Sequence, residues 1–103
     1  MVEHDPTEMQ ALPPEAASGI RRRIEKEHGY LSWLGTSVDV VERGRVVLSI
    51  PYRGTLTNMD GQTIHGGVAA TLIDTAGGLA QRTAFEDPLS GNVVTINLST
   101  NYL

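Results

Sequence analysis

HGGVAATLIDTAGGLAQRTAF, residues 65–85, is the stretch from which the fold of this chain is read. Val68, Ala69, Ala70, Leu72, Ile73, Ala76, Leu79 and Ala80 fall on nearly every side of a helix running from about residue 66 to residue 85. A helix apolar all round is buried on most sides, and here the apolar side chains are mostly small. Together these features predict a curved antiparallel sheet wrapped closely around one long helix, an α+β architecture. Gly77 and Gly78 lie mid-helix, where each glycine costs roughly 1 kcal/mol relative to Ala. Tight packing, or the approach of a strand, a partner subunit or a ligand, is the expected compensation.

One carboxylate, Asp74, stands inside this apolar run. Its neighbours at three and four positions are Ala70, Thr71, Gly77 and Gly78, so no cation one turn away can pair with it. The nearest basic residue of the helix is Arg82, two turns on. A charge in such a segment is costly to bury unless a partner elsewhere compensates. Asp74 can therefore be a general base on water or a nucleophile. Equally, it can be a structural acid satisfied by Thr71, Thr75 or backbone groups. Gly66 and Gly67 open the helix, where the first N–H groups have no intrahelical acceptor and can hold an oxyanion. About 10 Å of helix rise separates them from Asp74. His65 reads as a residue that caps or positions the loop, with a base as the alternative. A Ser-His-Asp triad has no support: no G-x-S-x-G elbow exists, and Ser90 lies in a loop without a pattern.

Outward from the helix, Arg45 to Tyr52 alternates, with Val46, Leu48 and Ile50 on one face, and Gly35 to Val41 puts Val38 and Val40 together. Glu42-Arg43-Gly44 between them predicts a hairpin whose Gly44 takes positive φ. Pro13-Pro14-Glu15 opens an earlier helix with an Ile20/Ile24 stripe that Gly29 is expected to stop. Its triplet Arg21-Arg22-Arg23, interleaved with Glu25, Lys26 and Glu27, reads as a solvated face rather than a phosphate clamp. Asn58 and Asp60 sit in a polar loop and suit turn positions. Residues 93–103 alternate as a last strand. Val94, Ile96 and Leu98 lie on one face and Thr95 on the other, where it is an exposed strand threonine or holds a water. Residues 1–12 read as a flexible tail before one domain over residues 13–103.

Composition narrows the function classes. The chain has 103 residues and a formal net charge of -4, which argues against nucleic acid as the partner. No apolar run is long enough to span a bilayer, and no secretory pattern opens the chain. Cysteine is absent, which excludes thiol nucleophiles and fits a cytoplasmic location. Three His without Cys give no recognisable metal-ligand spacing, so neither a metal nor a cofactor is expected.

Leu34-Gly35 through Val38-Asp39-Val40, Gly44-Arg45-Val46-Val47-Leu48, Gly61, the run from His65 to Ala76, Thr95-Ile96-Asn97-Leu98 and Asn101-Tyr102-Leu103 together carry a family resemblance. Over most of residues 31–103 the chain resembles the hotdog-fold acyl-CoA thioesterases of the phenylacetate-pathway and 4-hydroxybenzoyl-CoA type. The HGG motif with an acid nine residues after its His is fairly specific for that group. The resemblance implies a hotdog fold and hydrolysis of an acyl-CoA thioester. It assigns Asp74 as the catalytic carboxylate and Gly66 as the backbone N–H that polarises the carbonyl. Thr95 takes the place of a water-orienting hydroxyl from a neighbouring subunit. His65 and Gly67 fall in the substrate-binding motif, and Asn58 stands one position before the family's loop Asn or Gln. Similar enzymes continue with further strands, so a partial domain lacking its closing C-terminal strands is expected.

Two further classes stay beside this reading: a non-catalytic acyl-CoA-binding module or inactive fragment, and a hydratase or dehydratase of acyl thioesters. A helix this apolar is not covered by one short sheet, and similar enzymes place their sites between subunits. The expectation is therefore a homodimer or homotetramer.

Overall fold

The computed structural model describes residues 11–85 and 97–100. Helix α1 (Pro14–Arg22) starts with a proline in its first turn, carries Glu15 there, and ends on Arg21 and Arg22, which matches the sign of the helix dipole at both ends. It buries Ala16 and Ile20. The chain then widens into a π-helical turn, Arg23–Glu27, closed by a 2.7 Å bond from the His28 N–H to the Arg23 carbonyl. Ile24 is buried inside this turn. Gly29 does not stop the helix, contrary to the sequence reading. The break falls at His28, which is extended (φ -79°, ψ 114°), and Gly29 opens helix α2 (Gly29–Trp33). The His28 imidazole does the work expected of a glycine stop, because its Nδ1 accepts the Leu31 N–H at 3.3 Å and caps α2.

Helix α2 ends in a Schellman motif. The Thr36 N–H donates to the Leu31 carbonyl (3.1 Å) and the Gly35 N–H to that of Ser32 (3.0 Å). Gly35 has φ +78°, and a Cβ there would meet Pro51 at 3.5 Å. Strands β1 (Ser37–Glu42) and β2 (Arg45–Ser49) form an antiparallel hairpin with Glu42 opposite Arg45, and Gly44 takes φ +81° in the turn. Between Val38↔Leu48 and Val40↔Val47 the register shifts, with Asp39 as the extra residue. That bulge corrects one sequence expectation. Val38 and Val40 do not share a face: Val38 and Val41 join the core, while Val40 pairs with outward-facing Val47.

The core cluster is Ile20, Ile24, Leu31, Leu34, Val38 and Leu56, with Leu12, Val41, Leu48, Ile50, Ile64, Val68 and Leu79 packed around it. Leu12, the last residue of the expected tail, is thus part of the packing. Helix α3 (Gly66–Thr83) lies across β2. It ends two residues before the sequence reading places its end, with Ala84 as cap. The helix is not buried on most sides. Thr83 is its one buried residue, and Ile73 is 51% exposed. The sheet has two strands among the described residues, and two strands cover one face of a helix rather than wrap it. The strand expected over residues 93–103 falls largely outside the described residues; residues 97–100 have no regular structure. No helix among the described residues is long and apolar enough to cross a membrane.

Candidate active site

Two anchors set the position of α3. At its C-terminal end the fully buried Thr83 hydroxyl accepts the Gly44 N–H (2.8 Å) and donates to the Ala80 carbonyl (2.7 Å). Arg43 donates to the carbonyl of Thr83 (2.9 Å), one of those a helix leaves unsatisfied at its C-terminus, and to that of Phe85 (2.7 Å) just beyond the cap. At its N-terminal end His65 is the N-cap: its Nδ1 accepts the Gly67 N–H at 2.8 Å, and its own N–H donates to the Leu56 carbonyl at 2.8 Å. The helix therefore begins at Gly66 because His65 supplies the acceptor that an Asp or Ser usually would.

This cap changes the reading of Gly67. Its N–H belongs to the His65 side chain, and a Cβ on Gly67 would stand 2.9 Å from that Nδ1, so the imidazole lies flat against the glycine. Gly66, at the first helical position, is the donor nearest the helix end. Asn58 holds the preceding loop through its backbone: its N–H donates to the Thr63 carbonyl (2.7 Å), and its carbonyl accepts the Gly61 N–H (2.9 Å). The Asn58 side chain is exposed. Asp60 closes the same loop by accepting the N–H groups of Gln62 (2.9 Å) and Thr63 (3.0 Å) and the Thr63 hydroxyl (2.8 Å). Those donors, Thr63 N–H foremost, hold its carboxyl below the usual carboxylate value.

Asp74 is half-buried and lines a groove of about 590 Å³ between α3 and the α1–π-turn segment. Ile20, Ile24, Leu31 and Leu79 are its apolar lining, and Arg22, Arg23, His28 and Arg82 line it as well. Gly78 also lines it, so the mid-helix glycine faces this groove, whereas a Cβ on Gly77 would meet nothing. Asp74 and Gly67 lie seven residues apart on α3, nearly two full turns, and so share a face about 10 Å apart. Between them Tyr30 reaches over from α2, its hydroxyl 2.8 Å from that of Thr71, which donates to the Gly67 carbonyl at 2.8 Å.

The structure thus gathers His65, Gly66, Gly67 and the Asn58 loop at one end of α3, and Asp74 with a groove beyond its middle. Thr95 lies outside the described residues. Sequence reasoning missed His28, Arg23 and Tyr30 as neighbours of α3. No local pattern marks them, because their proximity depends on the π-turn and on the packing of α2. Among the described residues no three His, Asp or Glu side chains come together as metal ligands.

Comparison with known proteins follows the same segment. The thioesterase superfamily profile matches residues 61–103, which include His65, Gly66, Asp74 and Thr95. Two relatives carry the name "Putative esterase". One, from Halobacterium salinarum, is 49% identical over 98 residues, 92% of this chain and 64% of the relative. The other, from Saccharolobus solfataricus, is 33% identical over 84 residues, 82% of this chain and 57% of the relative. The chain spans less than two thirds of the length of these relatives. No solved structure matches it.

Proposed function

We propose, from a chain whose α+β fold is the hotdog domain of the thioesterase superfamily, that its reaction is hydrolysis of an acyl-CoA thioester. Ester or thioester hydrolysis in general is what the family and the names of the relatives support. The acyl-CoA substrate and the residue roles are our reading. The observation that carries it is Asp74, an acid on an apolar helix, half-buried at a groove of small-molecule size.

In this reading the thioester carbonyl lies along α3 with its oxygen toward the Gly66 N–H, where the positive end of the helix dipole favours developing negative charge. Asp74 accepts a proton from water as the water oxygen bonds to the carbonyl carbon. The C–S bond then breaks, and the leaving thiolate takes the proton back from Asp74, giving free acid and thiol. Direct attack by the Asp74 carboxylate is the alternative route, which transfer of labelled water oxygen into the enzyme in a single turnover detects. His65 holds the first turn of α3, and Thr95 from a second subunit orients the water. The mechanism calls on no metal or cofactor.

Asp74→Asn keeps the side-chain volume and removes the base, so thiol release falls by about 10²–10⁴-fold with the far-ultraviolet spectrum unchanged. Undiminished hydrolysis in that variant would falsify the mechanism. A second reading, hydration of an enoyl thioester, has one observation in its favour: His28 lines the same groove as Asp74. Assaying enoyl-thioester hydration against thiol release separates the two.

The assembly proposed is a homodimer or homotetramer. Ile73, 51% exposed at the middle of α3, lies on the face a second copy would cover. A monodisperse, active monomer in sedimentation contradicts it.

A further inference from the structure

The charged run at residues 21–27 is not one solvated face. Arg22, Arg23, Lys26 and Glu27 are exposed, but Arg21 and Glu25 are half-buried. These two stand four residues apart, about one turn, and so reach the same place. That place is a single residue of β1. The Glu25 Oε2 accepts the Val38 N–H at 2.8 Å, and the Arg21 Nε donates to the Val38 carbonyl at 3.2 Å. Each bond joins a charged side chain to a peptide group, the stronger class of hydrogen bond.

The pattern is that of a neighbouring strand. In an antiparallel ladder a residue exchanges its N–H and its C=O with one residue opposite. Here a carboxylate and a guanidinium supply the acceptor and the donor that such a residue would bring. Among the described residues β1 has β2 as its strand neighbour, so the side of β1 away from β2 is a sheet edge. Bare N–H and C=O groups on an edge are a template for another chain. Asp39, next to Val38, is exposed and is the extra residue of the bulge; a bulge and a charge on an edge both oppose strand addition. Val38 is the buried residue of β1, 4% exposed, so its backbone cannot turn away without pulling its side chain from the core.

We infer that Arg21 and Glu25 close the β1 edge to strand addition, and that the strand they keep out is β1 of a second copy of this chain. Two copies related by a two-fold axis at Val38 would exchange both bonds between the two Val38 residues, a self-complementary contact that needs no other sequence. In that register Asp39 stands opposite Ser37 of the second copy rather than opposite a like charge. The two side chains of α1 satisfy the same two groups within one chain, without the loss of freedom that association costs.

The test is sedimentation velocity over a concentration series, with amide exchange read at Val38. In the double variant Arg21→Ala/Glu25→Ala the Val38 amide at low concentration exchanges about tenfold faster than in the parent, or more. As concentration rises the sedimenting mass doubles relative to the parent, and the Val38 amide regains protection. Glu25→Gln keeps an acceptor oxygen and sediments as the parent does. Ile20→Val trims a buried methyl from α1, leaves both bonds in place and also sediments as the parent does. Association of the Ile20→Val chain to the extent of the double variant would trace the effect to lost stability and overturn the inference. A double variant that keeps the parent's mass at every concentration overturns it too, as does one that associates while its Val38 amide stays fast. If the double variant does not fold, Glu25→Ala alone, which strips the Val38 N–H and leaves Arg21 in place, is read by the same outcomes.

Discussion

At its C-terminal end α3 is gripped from inside the protein. Thr83 is fully buried, its hydroxyl serves two backbone groups, and Arg43 of the hairpin turn reaches the last carbonyls. At its N-terminal end the helix is held by contacts at the surface: the exposed His65 cap, the Tyr30–Thr71 hydroxyl pair and the loop closed by Asp60. At the first end the fully buried Thr83 hydroxyl has both its partners, where loss of one is costly. The second is held by contacts that water can replace. One helix is thus fastened at one end and presented at the other.

Mutation can break this contrast, and the largest effect is expected at the buried end. Thr83→Val strands the Gly44 N–H and destabilises the fold by about 1–3 kcal/mol, read by urea unfolding. Thr83→Ser restores most of the loss because it keeps the hydroxyl. A Val variant as stable as the parent would mean the hairpin turn does not anchor α3. At the presented end His65→Ala removes the cap for about 1 kcal/mol. Amide exchange at Gly67 speeds up more than at Ala80, whereas equal acceleration along the helix would erase the difference between the ends.

The smallest effect is one of pH. The carboxyl of Asp60 titrates below its ordinary 3.8 because backbone N–H groups of Thr63 and Gln62 favour the charged form. Its contribution to loop order is therefore complete above the ordinary value and is lost as pH falls through the lowered one. Chemical shifts of the Thr63 amide should hold steady to below the usual carboxylate range and then move. Asp60→Asn should abolish that step.

The parts of the fold that could be read in advance are those fixed by near neighbours. Pro14, Gly44 and the His65-Gly66 start act within a few residues, and each element begins or turns where they stand. Asp39 could not be read as a bulge, because Val38, Val40 and Val41 satisfy either phase of a strand and only pairing with β2 selects one. Nor could His28: a histidine before a glycine looks like the tail of a helix, and its capping role depends on α2 forming. The composition of α3 overstated its burial, since an apolar stripe records what a helix can cover and not how many strands arrive to cover it. Within the site, the Gly66-to-Asp74 spacing was legible as local geometry. The Arg23 guanidinium and the His28 imidazole that line its groove were not, since they come from the π-turn and its end, some fifty residues earlier.

The widened turn at Arg23–Glu27 holds one residue more than a regular helix needs there. Excising a single codon, that of Lys26, would let the backbone rewind to ordinary pitch. Everything downstream, α3 included, would then swing by about 100° relative to α1, carrying the acid of α3 away from the α1 residues Gly19, Ile20 and Arg22 that share its groove. A deletion too small to disturb the core composition could in this way rewire the pocket, and a lineage could lose or regain the α1 wall of that groove in one step.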